Sequence, residues 1–179
     1  MFVGFACVLI AASQGFLTHM PPTFKAHFAS TNESSGVFTQ KKVLSGTENV
    51  FVSSGTWRIR PGKDFVWRIT EPFDSVFIAT PEKYVYSNED EVVKRNLDDL
   101  QGFSRIAKIA QGDFAAFFDA FDAMYKEEDS GVFHMLAKPR ERRLKKALER
   151  VDLDGNLDDW VLRAVFTSGD KFEIHVTRH

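Results

Sequence analysis

The stretch Ser54-Gly55-Thr56-Trp57-Arg58-Ile59-Arg60-Pro61-Gly62, followed by Phe65-Val66-Trp67-Arg68-Ile69-Thr70-Glu71-Pro72, decides the fold. Apolar residues alternate along each segment: Trp57 and Ile59 on the first, Phe65, Trp67 and Ile69 on the second. A period of two is that of a strand with one buried face. An Arg-Pro-Gly corner joins the two segments, and Glu-Pro closes the second. The result is a sheet that shows large rings on one side, and such a face needs something apolar to hold.

Working outward, the same period recurs. Residues 37–44, 50–52, 55–60, 65–70, 75–80 and 83–86 read as short strands separated by Gly, Pro, Asn and Ser. Even spacing of this kind predicts an antiparallel meander. Upstream, Pro21-Pro22 breaks the chain, residues 23–31 suit a short helix with Phe24 and Phe28 on one face, and residues 32–36 are a polar turn. Downstream the pattern changes to a helical one. Residues 100–110 read as helix, and Asp113 is an N-cap for a stripe of Phe114, Phe117, Phe118 and Phe121 at i, i+3, i+4 and i+7. That greasy face suits a helix covering the open side of a curved sheet, a lid, or both. Strands resume at 131–138 and stop at Pro139. A charged stretch, 140–146, precedes strands at 148–153, 160–167 and 171–177, with tight turns at Asp154-Gly155 and Gly169-Asp170.

Composition narrows the classes. With 179 residues, 44% hydrophobic, and a formal net charge of -2, the chain fits one globular domain with a continuous core. The mixed charges provide no basic field of the kind nucleic-acid binding requires. There are 18 phenylalanines, which suits either an ordinary ring-rich core or a core whose rings line a cavity. Residues 1–13 form an apolar run too short to span a bilayer and ending in small residues, as a secretory signal does, although no Lys or Arg precedes it. Residues 1–19 are therefore expected to be a signal peptide and N-terminal segment, with cleavage after Ser13, and 20–179 a single domain. Cys7, the one cysteine, lies in that run, so the mature chain is expected to have none.

Catalytic patterns are not found. His134 and His175 fall in predicted strands and His27 on a polar helix face, without metal-ligand spacing. Asp152, Asp154 and Asn156 imitate the start of a calcium loop, but Leu157 stands where glycine is needed and Arg163 where the closing glutamate belongs. Ser53 and Ser54 lack the glycines and the strand-to-helix turn of a nucleophile elbow, and no phosphate-binding glycine loop is present. The basic run Arg140, Arg142, Arg143, Lys145 and Lys146 reads as a solvated face, with docking to an anionic partner or lipid headgroups as the alternative. No enzyme activity, cofactor or metal is expected.

Taken in order, Phe38-Thr39-Gln40-Lys41, Gly55, Trp57, Arg60-Pro61, Phe65, Trp67 and Pro72 resemble the outer-membrane lipoprotein carrier proteins (LolA). The resemblance extends more loosely through Gly112-Asp113-Phe114, Pro139, Leu144, Leu153 and the Gly169-Asp170 hairpin. The segments Lys42-Val43-Leu44-Ser45-Gly46 and Ser53-Ser54-Gly55 look closer to divergent LolA-like proteins than to the carrier itself. It implies a mainly β protein with helices: an incomplete antiparallel barrel, or half-barrel, with short helices as a lid over an apolar cavity. It also implies a non-enzymatic, monomeric periplasmic carrier or chaperone for the acyl chains of a lipoprotein or other acylated lipid. An inner-membrane transporter would be donor and an outer-membrane protein acceptor. The cavity is expected at Trp57, Ile59, Phe65, Trp67, Phe77, Phe114, Phe117, Phe118 and Phe121. By position, Arg60 matches the arginine that latches the carriers' lid; otherwise it is a strand-end arginine paired with a nearby acid. Two departures widen the cargo to glycolipids. Thr80-Pro81-Glu82-Lys83-Tyr84-Val85-Tyr86 lacks the family's glycine turn, and the sequence stops at His179 without the carriers' C-terminal extension. The alternative is a periplasmic lipid-sensing module of the same fold that engages a membrane-bound signalling partner.

Overall fold

The computed structural model describes residues 33–60, 62–96 and 119–179. Within them β1 (Ser34–Val43), β2 (Val50–Arg60), β3 (Asp64–Glu71), β4 (Ser75–Ala79), β5 (Lys83–Asn88) and β6 (Val92–Asn96) form one meander. A second consists of β7 (Phe121–Glu127), β8 (Phe133–Pro139), β9 (Leu148–Gly155), β10 (Asp159–Phe166) and β11 (Lys171–Arg178), with a short helix α1 (Arg142–Lys145) between β8 and β9. All eleven strands belong to one open, curved sheet, ordered β6-β5-β4-β3-β2-β1-β11-β10-β9-β8-β7. Neighbours are antiparallel throughout. The meander expected from the even strand spacing is therefore what forms. The seam between the two meanders is β1 against β11, from Gly36 opposite Arg178 to Val43 opposite Lys171.

Three features differ from the sequence reading. The expected strands at 50–52 and 55–60 are one, because the β1 ladder runs unbroken from Val43↔Val50 to Ser34↔Ile59. The Ser-Ser-Gly that reads as a break is instead a bulge on the β3 side, between Ser54 and Gly55. β6 and β7 were not expected. Phe121 also leaves its assigned helical stripe: Asp119 and Ala120 are helical, but Phe121 opens β7. Its spacing to Ala123 and Tyr125 is a strand's period, overlapping the helical spacing that precedes it.

Alternation assigns each strand an inner and an outer side. Phe38, Trp57, Ile59, Phe65, Trp67 and Phe77 are buried from the first meander. Phe121, Phe133, Met135, Leu153, Trp160, Leu162, Phe172 and Ile174 are buried from the second, and all belong to one apolar cluster. No polar or charged residue among those described is buried. The outer side carries charges in cross-strand register. Arg163 lies opposite Glu173, where opposite charges on neighbouring strands attract, and His134 lies opposite Asp154, with which its ring shares a hydrogen bond.

Candidate functional site

The inner face is built in rows that cross the strands. One row runs Trp57, Trp67, Phe77 and Tyr86; the next runs Ile59, Phe65, Ala79 and Tyr84. The residues expected from sequence to form the fixed wall thus fall on one surface in adjoining rows. Phe65 and Trp67 are 0% and 1% exposed, so the wall is sealed from solvent and anything that binds it must first displace what covers it.

A gap in the β2 side chains organises this wall. Phe38 on β1 lies opposite Gly55 on β2. Strands two apart in a sheet are separated by roughly 9.6 Å. With no side chain at Gly55, the Phe38 ring reaches across β2 and stacks on Trp67, centroids 3.7 Å apart and planes 21° apart. A β-carbon on Gly55 would lie 1.8 Å from the Arg68 carbonyl oxygen and 2.9 Å from the Ile69 α-carbon, so only glycine lets β3 approach this closely. Phe65 adds a tilted contact to Trp67 at 6.1 Å, and Phe77 stacks on Tyr84 at 5.8 Å. The stacked and tilted rings give the wall a fixed shape.

Polar atoms on this face are few. The indole Nε1 groups of Trp57 and Trp67 and the Tyr125 hydroxyl are buried without a hydrogen-bond partner. An unpaired buried donor costs roughly 1–3 kcal/mol, so each would gain from an acceptor brought by a ligand. Burial pushes the Tyr125 phenol up from its ordinary pKa.

Arg60 ends β2 at the corner where Lys63 N–H donates to the Arg60 carbonyl at 2.9 Å and Gly62 takes a positive φ of 70°. Its guanidinium grips Asp64 through both arms: Nε donates to Oδ1 at 2.8 Å and Nη2 to Oδ2. That fork holds the Asp64 carboxyl below, and the Arg60 guanidinium above, their ordinary values. In this structure Arg60 is thus the strand-end arginine paired with a nearby acid. Phe114, Phe117 and Phe118 lie outside the described residues, as does most of the helical region expected to form the lid. Phe121 lies on the inner side of β7, the edge strand at the end of the sheet away from the β4 that carries Phe77. The sequence reading overlooked Phe38, Tyr84, Tyr86, Phe133 and Trp160 as members of this face. Period two at Phe133, Met135 and Ala137, and at Trp160, Leu162 and Ala164, is the signal that exposes two of them.

The outer side offers a groove of about 430 Å³ whose lining includes Met124, Leu136, His134, Asp152, Asp154 and Arg163. Its polar groups satisfy one another: His134 Nδ1 lies 2.8 Å from Asp154, which also accepts from Arg163 at 2.8 Å. His175 is similarly held by Asp159 at 2.7 Å. No group of three or more His, Cys, Asp or Glu among the described residues could hold a metal. No helix among them is long and apolar enough to cross a membrane.

An open, curved antiparallel sheet with one side lined by packed rings has the form of a half-barrel. The chain is 36% identical over 98 residues to an outer-membrane lipoprotein carrier protein of Cupriavidus taiwanensis. The match covers 46% of this chain and 46% of that protein, so the chain spans about half the length of the curated relative it matches. No family model matches the chain. Among solved structures, it is similar to a LolA superfamily protein from Nitrosomonas europaea, at 9% identity and a TM-score of 0.43, covering 82% of this chain and 84% of that one. It is also similar to a DUF1329 family protein from Desulfovibrio piger, at 10% identity and a TM-score of 0.43, covering 88% and 92%. The fold assignment rests on strand order and register alone.

Proposed function

We propose that this protein is a non-enzymatic periplasmic carrier, which takes the acyl chains of a lipoprotein or another acylated lipid onto its inner face and ferries them between the inner and outer membranes. The observation that carries the reading is the inner face itself, where aromatic rings in adjoining rows make a wall with no buried charge. The partial match to a lipoprotein carrier supports it. Burial of each CH₂ stabilises by about 0.8 kcal/mol, so a long acyl chain leaving a bilayer for water costs on the order of 10 kcal/mol and needs an apolar host on the way. The unpaired Trp57 and Trp67 indoles supply donors to which an ester or amide carbonyl beside such a chain can offer its oxygen.

In this reading Phe114, Phe117 and Phe118 form the movable wall and compete with cargo for Trp57, Ile59, Phe65, Trp67 and Phe77. Competition keeps binding weak enough to permit release. Arg60 has the part of latch, exchanging its Asp64 partner for lid backbone carbonyls, which a guanidinium with five donors is equipped to do. The test is binding of a fluorescent fatty acid by purified protein. Phe117→Ser with Phe118→Ser is expected to change the affinity while the circular dichroism stays that of the parent, and Arg60→Leu to change the rate of exchange. Unaltered binding by a folded Phe117/Phe118 variant removes the lid from the mechanism, and no binding by the parent protein removes the carrier.

A further inference from the structure

The antiparallel order brings five connections to one end of the sheet, side by side. They are the β5–β6 turn at 89–91, the β3–β4 turn at 72–74, the β1–β2 turn with the start of β2, the β10–β11 turn at 167–170, and the 140–147 connection containing α1. Three are tied together by hydrogen bonds. Ser45 N–H donates to Asp170 at 2.8 Å, Thr167 Oγ1 to the Lys146 carbonyl at 2.7 Å, and Thr167 N–H to the Ala147 carbonyl at 3.1 Å. The turns therefore make a continuous rim.

The residues on this rim are unusual for a solvated edge. Arg142, Arg143, Lys145 and Lys146 are all exposed, and among the described residues none has an acidic partner, whereas Arg140 beside them is held by Asp122 at 2.5 Å. Of the rim's acids, Asp170 is engaged by Ser45, Asp74 by Arg68 and Glu71 by Ser54, and Glu141 also has a partner; Glu48, and Glu89, Asp90 and Glu91 in the β5–β6 turn at the far end of the rim from α1, have no ion-pair partner among the described residues. Large apolar side chains stand out beside them. Phe73 at its turn is 75% exposed and Phe51, near the start of β2, 56%. A ring this exposed gains little from burial in its own chain, and grouped exposed apolar residues mark interaction surfaces.

We propose that this rim docks on a membrane surface bearing anionic headgroups, with the α1 cations on the headgroups and Phe73 and Phe51 in the interface. Spacing favours a surface over a small anion. From β3 to β9 is five strand intervals, on the order of 24 Å, so the rings and the cations reach a common partner only if it is extended. The pairing of a cationic cluster with apolar anchors suits a bilayer, which offers both charge and hydrocarbon at one depth. A second protein with an acidic surface would use the cations but leave both rings in water.

The test is co-sedimentation of the full chain with phosphatidylcholine vesicles, with and without phosphatidylglycerol, at low and high salt. The parent is expected to prefer the phosphatidylglycerol vesicles and to lose that preference as salt rises. Arg142→Gln, Arg143→Gln, Lys145→Gln and Lys146→Gln together should weaken partitioning by on the order of fivefold per cation. Phe73→Ser with Phe51→Ser should remove the part of binding that survives high salt. The apolar residues 2–13 are common to all these proteins and cannot account for a difference between them. Equal binding to both vesicle types by the parent, or parental binding by a quadruple variant with the parent's melting temperature, overturns the proposal. So does association with an acidic protein but not with vesicles. Acyl-chain binding by the quadruple variant is expected to match the parent, which separates this surface from the carrier reading.

Discussion

Replacing Gly55 by alanine tests the tightest piece of geometry on the inner face. The added β-carbon would sit 1.8 Å from the Arg68 carbonyl oxygen and 2.8 Å from the Arg68 carbonyl carbon, both backbone atoms, so no side-chain rotation relieves it. β2 and β3 must part by more than an ångström at the bulge, and the Phe38–Trp67 stack that bridges Gly55 opens with them. Overpacking of this kind costs about 1–3 kcal/mol, and losing a stacked ring pair about 0.5–1.5 kcal/mol more. For a chain of this size each kcal/mol lowers the melting temperature by about 2–4 °C, so Gly55→Ala should melt roughly 5–15 °C below the parent. The assay is thermal unfolding followed by circular dichroism, run as a double-mutant cycle with Phe38→Leu. Because Gly55→Ala already breaks the stack, Phe38→Leu should cost less in its background than in the parent, by a coupling of about 0.5 kcal/mol or more. A Gly55→Ala protein that melts with the parent, or strictly additive costs, would refute both the clash and the bridging stack.

Two further outcomes follow from charge. The Asp64 carboxyl is held below its ordinary value by the Arg60 fork, so its stabilisation is fully present above the unfolded value of about 3.9 and is lost as pH falls through the lower folded value. Melting curves should therefore show the parent a few degrees above Asp64→Asn at neutral pH and converging with it in strong acid; a constant gap contradicts the pairing. On the outer side, Asp154→Asn loosens both His134 and Arg163, but side chains 39–45% exposed are well screened, so the loss should stay under about 1 kcal/mol and shrink with added salt. A larger, salt-insensitive loss by denaturant unfolding would mean that the ladder supports the sheet rather than decorating it.

The sheet was legible wherever one side of a strand is apolar and the other polar. Trp57 and Ile59, Phe65 and Trp67, and Phe77 with Ala79 announce their face directly, and the structure places all six on it. Signals failed where pairing overrode local chemistry. Ser53-Ser54-Gly55 carries the residues of a turn, yet β1 supplies an unbroken partner and the irregularity becomes a bulge. Val92 to Asn96 starts with a valine on each side and continues with polar residues on both, as an edge strand with little to bury can, so it lacks the alternation that would reveal it. Phe121 was misread because a phenylalanine three and four residues beyond two others satisfies a helix while also beginning a strand. For Arg60, sequence left a latch and a surface pair as equals, since the Asp64 four residues on is visible but its grip is a matter of geometry.

The seam between β1 and β11 also constrains how the molecule is made. Gly36 meets Arg178, so the middle of the sheet joins strands from nearly opposite ends of the chain. During synthesis, the first meander emerges with β1 as a bare edge, and its ring-bearing side stays without half of its apolar neighbours until β11 arrives. Contacts this distant in sequence form slowly, and unpaired edges beside exposed rings invite association with other chains. The last strand is therefore a closing stitch: shortening or delaying it should leave the cell with an aggregation-prone half-sheet rather than with a smaller working protein.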